Sequence, residues 1–112
     1  NLVEDSGVKR VRYADTVGIL SISKTKQVIS ELRKNSNVEI EIHSHNDFGM
    51  ALAIAIESVK NGVRYVDCTL DGIGERSGNC NLQEFLRIGF EFPEEVKIDK
   101  MNLIKSDLKN II

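Results

Sequence analysis

Aromatic residues and long apolar runs are scarce in this chain. The sequence contains no tryptophan, four phenylalanines and two tyrosines among 112 residues. A hydrophobic core must therefore consist mainly of isoleucine, leucine, valine and alanine, and it would be thin for an independent α/β domain. No apolar segment approaches the roughly 20 residues of a membrane-spanning helix, so we expect no membrane partner.

Charge of one sign does not accumulate anywhere in the sequence. The chain carries 15 basic and 17 acidic residues, with a formal net charge of −2. Proteins that bind nucleic acid generally carry a basic patch or stripe. We therefore expect no nucleic-acid partner. The length allows one domain at most.

Cysteines are also few. Cys68 and Cys80 have a spacing that matches neither a metal knuckle nor a redox pair, and free thiols are typical of a reducing cytoplasm. We expect both to be free and buried, and the protein to be cytoplasmic. The first residues carry neither a basic leader nor an initiator methionine. This start favours a truncated or proteolysed polypeptide, or one subunit of a split enzyme.

The sequence repeats one structural unit three times, with a period of about 27 residues. Each unit begins with a short run of alternating polarity that is typical of a strand. The predicted strands are residues 10–14, 38–43 and 65–69. Each strand is followed by a polar loop that contains glycine, which we call a tip. The first tip is residues 15–18, the second 43–49 and the third 71–79.

Helical periodicity follows each tip. The predicted helices are residues 24–34, 50–60 and 82 to about 89, and Ser21 or Ser23 is the predicted N-cap of the first. Strand, tip and helix in this order are typical of an α/β protein, a barrel or an open sheet, whose site lies at the carboxyl ends of its strands. A closed eight-stranded barrel needs roughly 250 residues, so this chain cannot close one alone. A further helix is predicted after Pro93.

The second tip contains the only two histidines of the chain. Alternation along the strand places His43 and His45 on one face, opposite Ile42. The imidazoles then project together, about 7 Å apart along the strand, and both can turn onto one ion. Nitrogen ligands suit Zn²⁺, Mn²⁺, Fe²⁺ or Co²⁺. The pattern predicts a metal site that takes at least one further ligand from elsewhere; the alternative is a pair of polar residues at a loop edge.

The other two tips give weaker signals. Asp15 and Thr16 end the first strand and predict either a turn that caps the next helix or a substrate contact. In the third tip, Glu75 and Arg76 are predicted to hold their own loop together by ion pairing. Asn79, at the end of that loop, is the residue placed to reach the metal or its water.

Taken together, the three tips resemble the last three strands of the isopropylmalate synthase and homocitrate synthase family. The resemblance covers about residues 1–92. It rests on three segments in register: Arg-Tyr-Ala-Asp-Thr-Val-Gly (12–18), His-Ser-His-Asn-Asp-Phe-Gly-Met-Ala (43–51) and Gly-Ile-Gly-Glu-Arg-Ser-Gly-Asn (72–79).

The resemblance implies a fold, a reaction and a set of site residues. The fold would be α/β, a partial TIM (β/α)8 barrel made of about the last three β/α units (residues 1–92) and the start of a linker or helical segment (residues 93–112). Such enzymes condense acetyl-CoA with a 2-keto acid and release CoA. His43 and His45 would bind a divalent cation (Zn, Mn, Mg, Fe or Co), Asn79 would join or support them, and Thr16 would contact the keto acid's carboxylate. A homo-oligomer is also implied.

Several alternatives stay open. The first tip looks closer to the homocitrate type, but isopropylmalate, citramalate and citrate synthesis are alternatives. Related acyl-CoA lyases share the His-x-His tip but carry a cysteine in the third tip, so cleavage is the second candidate reaction. The family's first-strand segment, with a third ligand and a catalytic arginine, is absent. We therefore assign no catalytic residue, expect no activity from this chain alone, and take the N-terminal part of the barrel as its partner. A non-catalytic assembly module or an inactive fragment is the alternative from another class.

Overall fold

The chain forms one parallel sheet with helices between its strands. The computed structural model describes residues 2–91 and 98–111. The strands, adjacent in the order of the sequence, are β1 (Arg10–Ala14), β2 (Glu39–His43) and β3 (Tyr65–Val66). The helices are α1 (Leu2–Asp5), α2 (Ile22–Asn35), α3 (Ala51–Lys60), α4 (Leu82–Leu86) and α5 (Ile98–Lys109). Strands joined by α2 and α3 confirm the predicted α/β class.

The strand register brings the three tips to one edge of the sheet. β1 pairs with β2 in parallel from Arg10 opposite Glu39 to Ala14 opposite His43. β2 pairs with β3 through Ile42 opposite Val66. Because the carboxyl ends of parallel strands point the same way, the loops that follow them meet at that edge.

The core lies between the sheet and the helices. Ile40 and Ile42 of β2 are each 1% exposed and form one apolar cluster with Ile29 of α2 and Ile54 of α3. Burying a side chain of this size stabilises a fold by about 1.5–3 kcal/mol. The isoleucines of β2 therefore face the helices, as alternation predicts, and the opposite face of the strand is left to polar residues.

A second apolar cluster contains the cysteines. Both are free, as expected, but only Cys80 is fully buried, while Cys68 is half-buried beside it. Thr69 and Asn81 form a parallel bridge, so the two thiols lie on neighbouring segments. Hydrogen bonding with Cys80 lowers the pKa of Cys68. A separation of twelve residues does not reveal this contact.

Two predicted elements are too long by about three residues. The third strand was predicted as residues 65–69 and ends at Val66. The amide of Asp67 still donates to the carbonyl of Ile42 at 2.9 Å, but Thr69 pairs with the later segment around Asn81 and no longer with β2. The helix predicted to end near residue 89 ends at Leu86, because the chain turns there by bonds between residues three apart.

The C-terminal helix agrees with the sequence pattern over Ile98–Lys109. The predicted boundary at residues 92 and 93 lies outside the described residues. Lys105 of α5 forms an ion pair with Asp71 of the third tip, with 2.6 Å between Nζ and Oδ1. In the part of the chain that the structure describes, no helix is both long and apolar enough to cross a membrane.

Candidate metal and substrate site

His43 and His45 lie on the same side of the sheet and face one another. Their Nε2 atoms are 3.2 Å apart, and the ring planes meet at 77°. His43 ends β2, and His45 follows in the second tip, where it is only 4% exposed. The alternation that predicted a shared face is correct.

Asp67 orients one of these rings. Its Oδ2 lies 2.9 Å from Nδ1 of His43. When the Nδ1–H group donates a hydrogen bond to this carboxylate, Nε2 of the same ring carries no proton and presents a lone pair towards His45. Sequence reasoning missed Asp67, because one aspartate at a strand end carries no signal until its neighbour across the sheet is known.

Asn79 lies against His45. The two residues form an antiparallel bridge, and the Asn79 amide donates from Nδ2 to the carbonyl of Ile73 at 3.0 Å. Oδ1 of Asn79 and Nδ1 of His45 are both buried without a hydrogen-bond partner among the described residues. A Cβ on Gly74 would collide with the Asn79 side chain, so the lack of a side chain at position 74 leaves room for the Asn79 amide.

The histidine pair fits two positions of a metal's coordination sphere. Two bonds of about 2.0–2.1 Å that meet at roughly 90–110° place their nitrogens about 2.8–3.4 Å apart, and the separation in the structure is 3.2 Å. Within residues 2–91 and 98–111, no group of three or more His, Cys, Asp or Glu side chains is arranged to hold an ion. Among the described residues, the two imidazoles are the nitrogens whose spacing fits an ion, and Asn79 lies next to His45 with a buried Oδ1 that has no partner there.

The first tip lies beside the second. Its start is fixed by the amide of Asp15, which donates to the carbonyl of His43 at 2.9 Å. The buried Asp15 carboxylate accepts from the amides of Ile19 at 3.0 Å and Leu20 at 3.2 Å. Asp15 thus serves the turn before α2, whereas Thr16 is exposed.

The third tip is attached to the other two through Arg76. Its Nε and Nη2 donate to the two carboxylate oxygens of Asp47 at 2.8 and 3.0 Å. The prediction that Glu75 and Arg76 hold the third tip together by ion pairing is therefore wrong for Arg76, which pairs with Asp47 of the second tip. These hydrogen bonds lower the pKa of Asp47. The Glu75 side chain is 71% exposed, and its Oε1 lies 3.9 Å from Nε2 of His45, beside the histidine pair.

Sequence comparison shows related proteins over most of the chain. A profile of the family described as HMGL-like matches residues 1–105. The homocitrate synthase subunit alpha of Clostridium pasteurianum is 48% identical over 82 residues, which cover 73% of this chain and 30% of that protein. The homocitrate synthase of Saccharolobus solfataricus is 46% identical over 105 residues, 91% of this chain and 23% of that protein. The 2-isopropylmalate synthase 2 of Caldanaerobacter subterraneus is 44% identical over 81 residues, 72% of this chain and 21% of that protein. The chain thus spans 21% to 30% of the length of these relatives.

Solved structures share the same arrangement of strands and helices. The N-terminal domain of a candidate aldolase from Bacteroides vulgatus superposes with a TM-score of 0.85 at 20% identity, covering 96% of this chain and 36% of that one. The carboxyl transferase domain of Rhizobium etli pyruvate carboxylase superposes with a TM-score of 0.70 at 24% identity, covering 78% of this chain and 15% of that one. At these identities the likeness concerns the fold, and it confirms the prediction of a partial TIM barrel.

The order of the strands, the three tips at their carboxyl ends and a profile match over residues 1–105 all agree. The chain belongs to the HMGL-like family, and its relatives include proteins named homocitrate synthase and 2-isopropylmalate synthase.

Proposed function

We propose that this chain carries the metal-binding end of an enzyme that condenses acetyl-CoA with a 2-keto acid, of the homocitrate synthase type. The observation that carries the proposal is the histidine pair at the end of β2, whose Nε2 atoms face each other at 3.2 Å. Relatives named homocitrate synthase, 48% and 46% identical to this chain, support the choice of reaction. The isopropylmalate type is the nearest alternative, supported by a relative at 44%.

Each residue of the site has a role in this proposal. His43 and His45 hold a divalent cation (Zn, Mn, Mg, Fe or Co), and Asp67 fixes the ring and tautomer of His43. Asn79, whose Oδ1 has no hydrogen-bond partner among the described residues, would join or support the two histidines. A cation held there would supply Lewis acidity at the keto carbonyl, where negative charge develops during the condensation.

Thr16 and the rest of the barrel complete the proposal. The Thr16 hydroxyl donates to the carboxylate of the keto acid, on the side of the site that β1 provides. Residues 1–92 form part of the catalytic barrel, and residues 93–112 begin a linker or helical segment. The remaining ligand and the catalytic groups come from the N-terminal part of the barrel, so we expect the chain alone to be inactive. The working enzyme is a homo-oligomer in the cytoplasm.

The experiment is to assemble this chain with the N-terminal part of the barrel and follow the release of free thiol from acetyl-CoA. The panel should include 2-oxoglutarate and 2-ketoisovalerate, whose acetyl adducts are homocitrate and 2-isopropylmalate. We expect thiol release that depends on a divalent metal and on 2-oxoglutarate. Complex formation with no release for any keto acid would favour an assembly module, and cleavage of an acyl-CoA without condensation would favour a lyase.

A further inference from the structure

One side chain of the third tip contacts both other tips. Besides its two bonds to Asp47, Arg76 donates from Nη2 to the main-chain carbonyl of Thr16 at 3.1 Å. Asp47 belongs to the second tip, two residues after His45. A single guanidinium therefore joins all three tips, and it adds to the backbone bond by which the Asp15 amide already ties the start of the first tip to His43.

The backbone on both sides of the Arg76–Asp47 contact has an unusual conformation or an unusually close approach. Arg76 has a φ of +55°, a left-handed conformation that is unfavourable for a residue with a side chain and persists only where its surroundings enforce it. Gly18 of the first tip packs so closely on Asp47 that a Cβ would collide with the carboxylate. A guanidinium that binds both oxygens of one carboxylate is a directional contact, because it fixes orientation as well as distance.

The histidines have other attachments to the third tip. The amide of Asn46 donates to the carbonyl of Gly78 at 2.9 Å, and His45 forms a bridge with Asn79. The first tip is joined to the third through the Arg76 bond to Thr16. Loss of Arg76 should therefore loosen the first tip more than the histidine pair.

We propose that Arg76 is a positioning residue for the keto acid: it holds Thr16 at a fixed place relative to the metal-binding histidines. The proposal rests on the function proposed above, since it takes Thr16 as the contact of the substrate carboxylate. Arg76 acts through Thr16 and Asp47 and does not itself touch the substrate. Its loss weakens the binding of the keto acid and leaves the binding of the metal unchanged.

The test compares Arg76→Ala and Arg76→Lys with the parent in the assembled enzyme. For Arg76→Ala we expect the dissociation constant of 2-oxoglutarate, measured by calorimetry with metal present, to rise at least about tenfold, the scale of one lost charge-assisted hydrogen bond. The affinity for the metal alone should stay within about twofold, because His43 and His45 are held by contacts that do not involve Arg76. Lysine keeps the charge but lacks the planar fork, so it should restore little of the affinity.

A matched control and an independent measurement separate this inference from the proposed function. Arg64→Ala removes an exposed arginine that pairs with Glu39 at 3.6 Å, at the other end of the strands, and should change neither affinity. Hydrogen exchange of the Gly18 and Ile19 amides should be faster in Arg76→Ala, while exchange in α2 stays as in the parent.

Equal exchange at Gly18 and equal affinity for 2-oxoglutarate in parent and Arg76→Ala would overturn the inference. A loss of metal affinity as large as the loss of keto acid affinity would overturn it as well. If the parent binds 2-oxoglutarate tightly and Arg76→Ala weakly, but neither releases thiol from acetyl-CoA, the inference stands and the proposed condensation fails.

Discussion

Asp67 lies outside the predicted His-x-His motif but contacts one of its two histidines. Its carboxylate accepts from Nδ1 of His43 at 2.9 Å and also lies 3.3 Å from Nε of Arg12. A carboxylate behind a metal-binding imidazole fixes its tautomer and raises its basicity. The metal affinity of the site should therefore depend on a residue that does not itself bind the cation.

We expect Asp67→Asn to lower the affinity for a divalent metal by about 10–100-fold, and His43→Ala to lower it further because a ligand is lost. Competition with a chromophoric chelator in the assembled enzyme measures both. Asp71→Asn is the matched control, since Asp71 lies in the third tip and pairs with Lys105. Equal metal affinity in Asp67→Asn and the control would contradict the assignment of Asp67.

The residues of the site could be predicted from sequence only where the signal is local. His43 and His45 are two positions apart where the chain is still extended at the end of β2, so alternation alone places them on one face. Arg76 and Asp47 are 29 positions apart, and no local pattern indicates that they pair. The predicted partner for Arg76 was its neighbour Glu75 for that reason. That His43 and His45 bind a metal with Asn79, and that Thr16 meets the substrate, stay predictions.

Among the elements, helix α2 was predicted well because its signals lie within the helix itself. An apolar stripe and a serine before the first turn mark its start. The structure decides between the two candidate caps: Oγ of Ser21 accepts from the amide of Lys24 at 3.2 Å. Strand β3 was predicted less well, because its end depends on whether Thr69 pairs with β2 or with the segment around Asn81. The strand propensity of the residues does not indicate which of the two segments Thr69 pairs with.

Replacement of Ser21 by alanine should destabilise the chain by about 0.5–2 kcal/mol, the usual cost of losing an N-cap. Ser30→Ala is the control, because Ser30 lies inside α2, away from its first turn, and is exposed. Urea denaturation of both variants gives the free energies of unfolding. The same loss in both would mean that Ser21 does not act as the cap.

At the scale of the whole molecule, a charged cluster joins β1 to β2 on the face opposite the apolar core. Glu41 is 8% exposed and accepts from Arg10 at 3.1 Å and from Arg12 at 2.5 Å. The hydrogen bond from Arg12 is the main cause that lowers the pKa of Glu41, and the bond from Arg10 adds to it. Alternation along β2 places Glu41 on the same face as His43, but its two partners follow from the pairing of the strands.

This cluster should make stability depend on acidic pH. A carboxyl group with a lowered pKa in the folded state contributes stability above its ordinary pKa of 4.5, and this contribution is lost as the pH falls through the lowered value. Glu41→Gln should therefore have a lower urea midpoint than the parent at pH 7 and a smaller deficit below pH about 4. Glu31→Gln is the control, since its pair with Lys34 is exposed. A constant deficit at all pH values would contradict an electrostatic role for Glu41.

The bonds of Arg76 also have a consequence for the order of folding. The bond from Arg76 to Thr16 joins positions 60 residues apart. The contacts within α2 are local, and paired residues of β1 and β2, such as Arg10 and Glu39, are only 29 positions apart. Long loops are entropically costly to close, so contacts of this kind generally form late and open first. We therefore expect the three tips to come together last during folding. Under mild denaturation they should separate while the apolar cluster between the sheet and the helices is still intact.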